Sequence, residues 1–92
     1  MKLRFTSRAL SDLARLRVFI AKKNPVAAQR VIDDLRRSIR HLPDHPQIGT
    51  ALDSPSGLRQ WVAGDYIVRY LAQEQTVYVL RVWHSREHRP DS

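Results

Sequence analysis

LRQWV (58–62), AGD (63–65), YIVRYLA (66–72), QEQ (73–75) and TVYVLRVWH (76–84) make the one long run of this chain with a strong period of two. β-Branched and aromatic residues fit a pleated, half-buried surface, and the interruptions carry the Gly and polar residues that hairpin loops need. The run reads as a three-strand antiparallel meander. Register follows from parity, because a one-residue slip turns every side chain to the other face. With Ala63, Gly64 and Asp65 as the first loop and Gln73, Glu74 and Gln75 as the second, one face collects Leu58, Val62, Tyr66, Val68, Tyr70, Tyr78, Leu80 and Val82. That face is expected to be the core. The other collects Arg59, Trp61, Ile67, Arg69, Val79, Arg81 and Trp83, which would expose three arginines and two tryptophans together.

Upstream, Met1 to Phe5 alternates and predicts a short strand, which must join the same sheet because an isolated strand would leave its backbone groups unpaired. Thr6 or Ser7 is suited to cap a helix whose stripe is Ala9, Leu13, Leu16 and Ile20, widened by Leu10 and Phe19 and ending near Lys22 or Lys23. Asn24-Pro25 predicts a new start, with Asn24 as N-cap and Pro25 in the first turn. The second stripe is Ala28, Val31 or Ile32, Leu35, Ile39 and Leu42, and the short connection predicts an antiparallel helical hairpin. Pro43 to Gly57 reads as an irregular crossover into the sheet. The expectation is one α+β domain over residues 1–92, with strand, helix, helix and three strands, and the helices on one sheet face.

A chain of 92 residues builds one modest core. It has no cysteine, which excludes disulfides and thiolate metal sites and fits a reducing cytoplasm. No apolar run reaches the roughly 20 residues of a membrane span, and MKLRFTSR lacks the apolar stretch of a signal peptide. The expected location is the cytoplasm, without a membrane partner. A net charge of +7 on so small a domain favours a polyanion or an acidic protein as partner.

His41, His45, His84 and His88 invite a metal reading, but only Glu87 stands near them as a carboxylate and no cysteine supports them, so no metal or cofactor is expected. No Gly-rich phosphate loop, nucleophile elbow or paired carboxylates are visible. The remaining constellation is the C-terminal run from Arg81 to Pro90 beside Arg59 and Arg69. Guanidinium forks there suit bidentate anions, and Trp61 or Trp83 offers a stacking surface. The same groups would suit RNA cleavage if His84 were acid or base, and equally an anion-attracting surface with no chemistry.

Ala9-Leu10-Ser11-Asp12-Leu13, Ile20-Ala21, Asn24-Pro25-Val26-Ala27-Ala28, Leu42-Pro43-Asp44-His45-Pro46, Gly49, Leu58-Arg59, Gly64-Asp65-Tyr66 and Leu80-Arg81-Val82-Trp83-His84 together resemble the RelE/ParE superfamily of bacterial toxins. The resemblance spans nearly the whole chain and lies in order and spacing, since no single motif is diagnostic. It implies a small basic toxin held inactive by an acidic antitoxin, with operator DNA bound only through that antitoxin. The ParE branch poisons DNA gyrase, whereas the RelE branch cuts mRNA on the ribosome. RelE-type toxins tend to carry an arginine where this chain has Ile67, and cleaving relatives often place a tyrosine where Ser85 follows His84 or add a C-terminal helix, which Pro90 near the last residue, Ser92, disfavours. The resemblance therefore implies a ParE-like gyrase inhibitor with no catalytic residues. Arg59, Trp61, Arg69, Arg81, Trp83, His84 and Arg86 are its candidate target- or antitoxin-binding residues. In the rival reading, a ribosome-dependent mRNA endonuclease, His84, Arg59, Arg69, Arg81 and Arg86 are catalytic. The expected antitoxin segment lies in a groove beside the helical hairpin and sets carboxylates against the strand arginines.

Overall fold

The computed structural model describes residues 1–87. In chain order it has β1 (Lys2–Phe5), α1 (Ser7–Lys23), α2 (Ala28–Ile39), a 3₁₀ turn (Leu42–Asp44), β2 (Thr50–Ala51), β3 (Leu58–Ala63), β4 (Tyr66–Gln73) and β5 (Thr76–His84). The five strands form one sheet in the order β1-β5-β4-β3-β2, with β1 parallel to β5 and the other neighbours antiparallel. This is the expected α+β architecture, with the helices on one sheet face.

Local chemistry explains the helix ends. Thr6 is the N-cap of α1: its Oγ1 accepts from the Ala9 N–H at 3.1 Å and donates to the Leu80 carbonyl, which ties the cap to the sheet. Asn24 Oδ1 and the Asn24 carbonyl both accept from the Ala27 N–H at 3.2 Å, so Asn24-Pro25 nucleates a turn that feeds α2 three residues later than the sequence predicts. Helix α2 stops at Ile39, and Leu42 is buried from the 3₁₀ turn instead. The stretch read as an irregular crossover, Pro43 to Gly57, holds the end of that turn and all of β2, which adds an edge to the sheet.

The core joins Ala9, Leu13 and Leu16 of α1 and Ile32, Leu35 and Ile39 of α2 to Leu42, Val68, Tyr70, Val77, Val79 and Val82. Burying six aliphatic side chains from two helices against the sheet supplies most of the stabilisation available to a chain of this size.

Three corrections to the register follow. Both hairpin loops are two residues long: Ala63 pairs with Tyr66, and Gln73 with Thr76. Gly64 takes the left-handed φ of +62° at the first loop position, while Glu74 and Gln75 adopt +48° and +66°. Shortening the first loop inverts β3, so Arg59, Trp61 and Ala63 point to the helix side while Leu58 and Val62 point away, Val62 being 64% exposed. In β5, Arg81 pairs with Arg69 but Val79 pairs with Tyr70, leaving Leu80 without a partner across the strand. This bulge resets the parity. Val77, Val79 and Val82 therefore all face the core, and Tyr78, expected inside, lies with Leu71 on the other face.

Candidate functional site

The seven residues singled out from the sequence do not share a surface. Arg59 donates from Nη1 to the carbonyls of Gly49, at 2.6 Å, and Gln47, at 3.3 Å, and so pins the loop before β2. Tyr70 completes that anchor: its buried hydroxyl donates to the Pro46 carbonyl and accepts from the Gly49 N–H. A Cβ at Gly49 would lie 2.9 Å from the Gln60 carbonyl oxygen and 3.0 Å from the Tyr70 ring, so this close approach needs glycine. Trp61, inverted to the helix side, packs against the core.

Arg69, Arg81 and Trp83 do lie on the face away from the helices. Trp83 is only 3% exposed, with the Arg69 guanidinium 5.2 Å from its ring centroid, and Arg69 also donates to Gln60 Oε1 at 3.1 Å. Arg81 reaches the sheet margin, where its Nε and Nη2 donate to Asp12 at 2.9 and 3.1 Å.

Asp12 is the residue the sequence reading passed over. It lies on the apolar stripe of α1, three residues after Ala9 and four before Leu16, and is buried with them. Its carboxylate accepts from Arg81, from Arg15 and from the Val82 N–H at 2.8 Å. Burial pushes this carboxyl up, but the hydrogen bonds from Arg81, Val82 and Arg15 together outweigh it and hold the pKa below the ordinary value. A carboxylate on an apolar helical stripe was the available signal, since a buried charge demands partners.

Arg15 extends the network. It donates to the Val82 carbonyl at 3.2 Å and forks onto both Glu87 oxygens at 3.1 Å. Glu87 in turn accepts from the His84 N–H at 2.9 Å. Burial raises the Glu87 carboxyl, and the bonds from Arg15 and His84 N–H reverse that and lower it. The residue considered among histidines for metal binding is thus a clasp for the end of β5.

His84 stands on the helix side. Its ring lies edge-on to Tyr66 with centroids 5.1 Å apart and 5.5 Å from Phe19, while Nδ1 accepts from the Arg86 N–H at 3.0 Å. In the neutral ring the proton then sits on Nε2. Burial, with the nearby Asp65 and Glu87 carboxylates, pushes the Tyr66 hydroxyl up. Arg86 is exposed, and His88, Arg89 and Pro90 lie outside the described residues. Among the described residues no group of three His, Asp or Glu could hold a metal ion, and no helix is long and apolar enough to cross a membrane.

A separate feature is an open groove of about 420 Å³ between α2 and the β3–β4 hairpin. Val31, Leu35, Trp61 and Tyr66 line it, with Asp34 and Asp65 among its polar residues. It lies on the helix side of the sheet, opposite the Arg69–Arg81 pair.

Residues 3–89 match the family described as ParE toxin of type II toxin-antitoxin system, parDE. The chain is 32% identical over 82 residues to Toxin RelE2 of Caulobacter vibrioides, covering 88% of this chain and 91% of that protein. Its fold matches a chain of the chromosomal ParDE system from P. aeruginosa with a TM-score of 0.76 at 17% identity, covering 91% and 95% of the two chains. It also matches a chain of the toxin-antitoxin complex RelBE2 from Mycobacterium tuberculosis with a TM-score of 0.68 at 26% identity, covering 90% and 95%. The strand, helical hairpin and antiparallel strands, together with a family match along nearly the whole chain, establish that this protein belongs to the ParE toxin family of type II toxin–antitoxin systems.

Proposed function

We propose that the protein arrests its target, DNA gyrase, by binding rather than by cutting nucleic acid, and that a cognate antitoxin neutralises it. One observation carries this reading: the groups a nuclease would need are dispersed. His84 lies on the helix side against Phe19 and Tyr66, Arg59 holds loop carbonyls, and Arg81 is bound to buried Asp12. An acid or base must come within about 2.6–3.2 Å of the proton it moves, beside the cations that stabilise the same transition state. No such convergence exists among the described residues.

The antitoxin fits the groove between α2 and the β3–β4 hairpin, through an amphipathic segment whose apolar side covers Val31, Leu35 and Trp61. The strand arginines do not share that site, because Arg69 and Arg81 face the other way. Operator DNA is then engaged through the antitoxin. A second reading draws on the similarity to Toxin RelE2: a ribosome-dependent endonuclease that uses His84 with Arg59, Arg69, Arg81 and Arg86. Purified protein separates the two. With gyrase and relaxed plasmid, the binding reading expects loss of supercoiling or accumulated cleaved DNA while a ribosomal translation reaction proceeds. Cut mRNA on ribosomes, with supercoiling intact, would overturn it.

A further inference from the structure

The groove between α2 and the β3–β4 hairpin opposes the net charge of the chain. Sixteen Lys and Arg give the molecule its +7, yet none of them is among the described residues that line the groove, whose ionisable members are Asp34, Asp65 and Tyr66. Asp34 already pairs with Arg37 at 2.7 Å, whereas the exposed Asp65 makes no ion pair among the described residues. The Asp65 carbonyl accepts from the Ser85 N–H at 2.8 Å, which fixes the turn that presents its carboxylate. The walls are aromatic. Trp61 pairs with Val68 and Ala63 with Tyr66, so Trp61 and Tyr66 are diagonal neighbours on the helix side, about 7–8 Å apart and able to flank one side chain. Burial and the Asp65 carboxylate both push the Tyr66 hydroxyl up, and Glu87, itself clasped by Arg15, adds to the same field.

We propose that this groove receives a cation: the partner segment that docks there carries an arginine or lysine among its apolar residues, and Asp65 with the Trp61 and Tyr66 rings holds it. The inference rests on the reading that an amphipathic segment of the antitoxin fills the groove, and it names what that segment must present. Two attractions converge on one group, since a carboxylate and aromatic ring faces both favour a guanidinium or ammonium. The aliphatic stem of such a side chain packs against Val31 and Leu35 while its charged end reaches the rim. Net charge alone favours an acidic segment, but at about 0.15 M salt screening leaves a reach of only ~8 Å, so the charges of the groove itself decide what enters it. Acidic residues of the same partner then lie outside the groove. Nucleic acid is disfavoured, because its phosphates would meet Asp65 where no Lys or Arg lines the wall. A second copy has arginines to offer but sets +7 against +7.

The test uses the full chain and synthetic alanine-rich helices whose leucines repeat at helical spacing and which differ at one neighbouring position, filled by arginine, glutamine or glutamate. Amide shifts at Val31, Leu35 and residues 63–66, with the Trp61 indole N–H, report occupancy of the groove. The arginine helix should bind about tenfold more tightly than the glutamine helix, and the glutamate helix more weakly than either despite the +7 of the chain. Asp65→Asn keeps a residue suited to the turn after Gly64 and, with its fold checked by the amide spectrum, should bring the arginine and glutamine helices within about threefold of each other. Asp53→Asn removes the same charge from an exposed position outside the groove and should leave the gap unchanged. Equal affinity of the three helices at the groove would overturn the cation site and leave groove docking intact, whereas no groove shifts with any helix would overturn both. An undiminished gap in Asp65→Asn, or tightest binding by the glutamate helix, would also overturn the proposal. So would sedimentation showing a dimer that Asp65→Asn dissociates, which would give the groove to a second copy.

Discussion

One edge of β5 is satisfied in two ways. Over Thr76–Val79 the partner is backbone, the parallel ladder of β1. Beyond Leu80 the chain has turned into α1, and side chains take over. Thr6 Oγ1 donates to the Leu80 carbonyl, Asp12 and Arg15 take the Val82 N–H and carbonyl, and Glu87 takes the His84 N–H. Backbone groups must be paired in either case, yet only the second half is paired by groups that titrate. The comparison predicts a strand whose two halves respond unequally to acid and mutation.

Asp12→Ala should have the largest effect. It removes the carboxylate that Arg81 and the Val82 N–H both donate to, and breaking a buried pair costs about 3–5 kcal/mol. A thermal or urea melt checks this, and a loss below about 1 kcal/mol would show that the carboxylate is not holding the edge. Next comes the pair Val79→Ala and Leu80→Ala. Val79 is fully buried while Leu80 sits at the bulge, half-buried, so the valine should cost roughly 1–3 kcal/mol and the leucine less despite its greater size. The reverse ranking would refute the bulge.

The pH response sharpens the contrast. Asp12 and Glu87 titrate below their ordinary values of 3.8 and 4.5 when folded. Between the folded and unfolded values the unfolded chain binds more protons, so stability is fully present above the ordinary values and falls on acidification through the folded ones. Hydrogen exchange should therefore open Val82 and His84 in acid before the amides of the β1–β5 ladder. Glu87→Gln, the smallest change, should cost under about 1 kcal/mol, because Arg15 is 41% exposed and screened by water. It should still speed exchange at His84.

Much of this was legible in the sequence. The alternating run, the cap at Thr6 and the two helical stripes each follow from local rules that tertiary packing did not override. Gly64-Asp65 is itself a two-residue turn signal, and counting Ala63 into the loop was enough to invert β3. Glu74 and Gln75 are different, because their left-handed φ values are imposed on residues with no preference for them. The bulge at Leu80 leaves no mark in composition, since Val79, Leu80 and Val82 are all good strand residues. The arginines show the same limit at the candidate site. Their count was visible, but Arg59, Arg69 and Arg81 are distributed between two faces by register alone.

The central claim is that toxicity needs no acid or base, and His84→Gln tests it most directly. Glutamine keeps an acceptor near the Arg86 N–H while removing the imidazole, whereas loss of a general acid or base costs about 10²–10⁴ in rate. Growth arrest and gyrase supercoiling should be measured with wild-type and His84→Gln proteins at matched expression and verified folding. The account predicts arrest and loss of supercoiling within a fewfold of wild type. Cleavage of ribosome-bound mRNA by the wild type that falls by orders of magnitude in His84→Gln would contradict it.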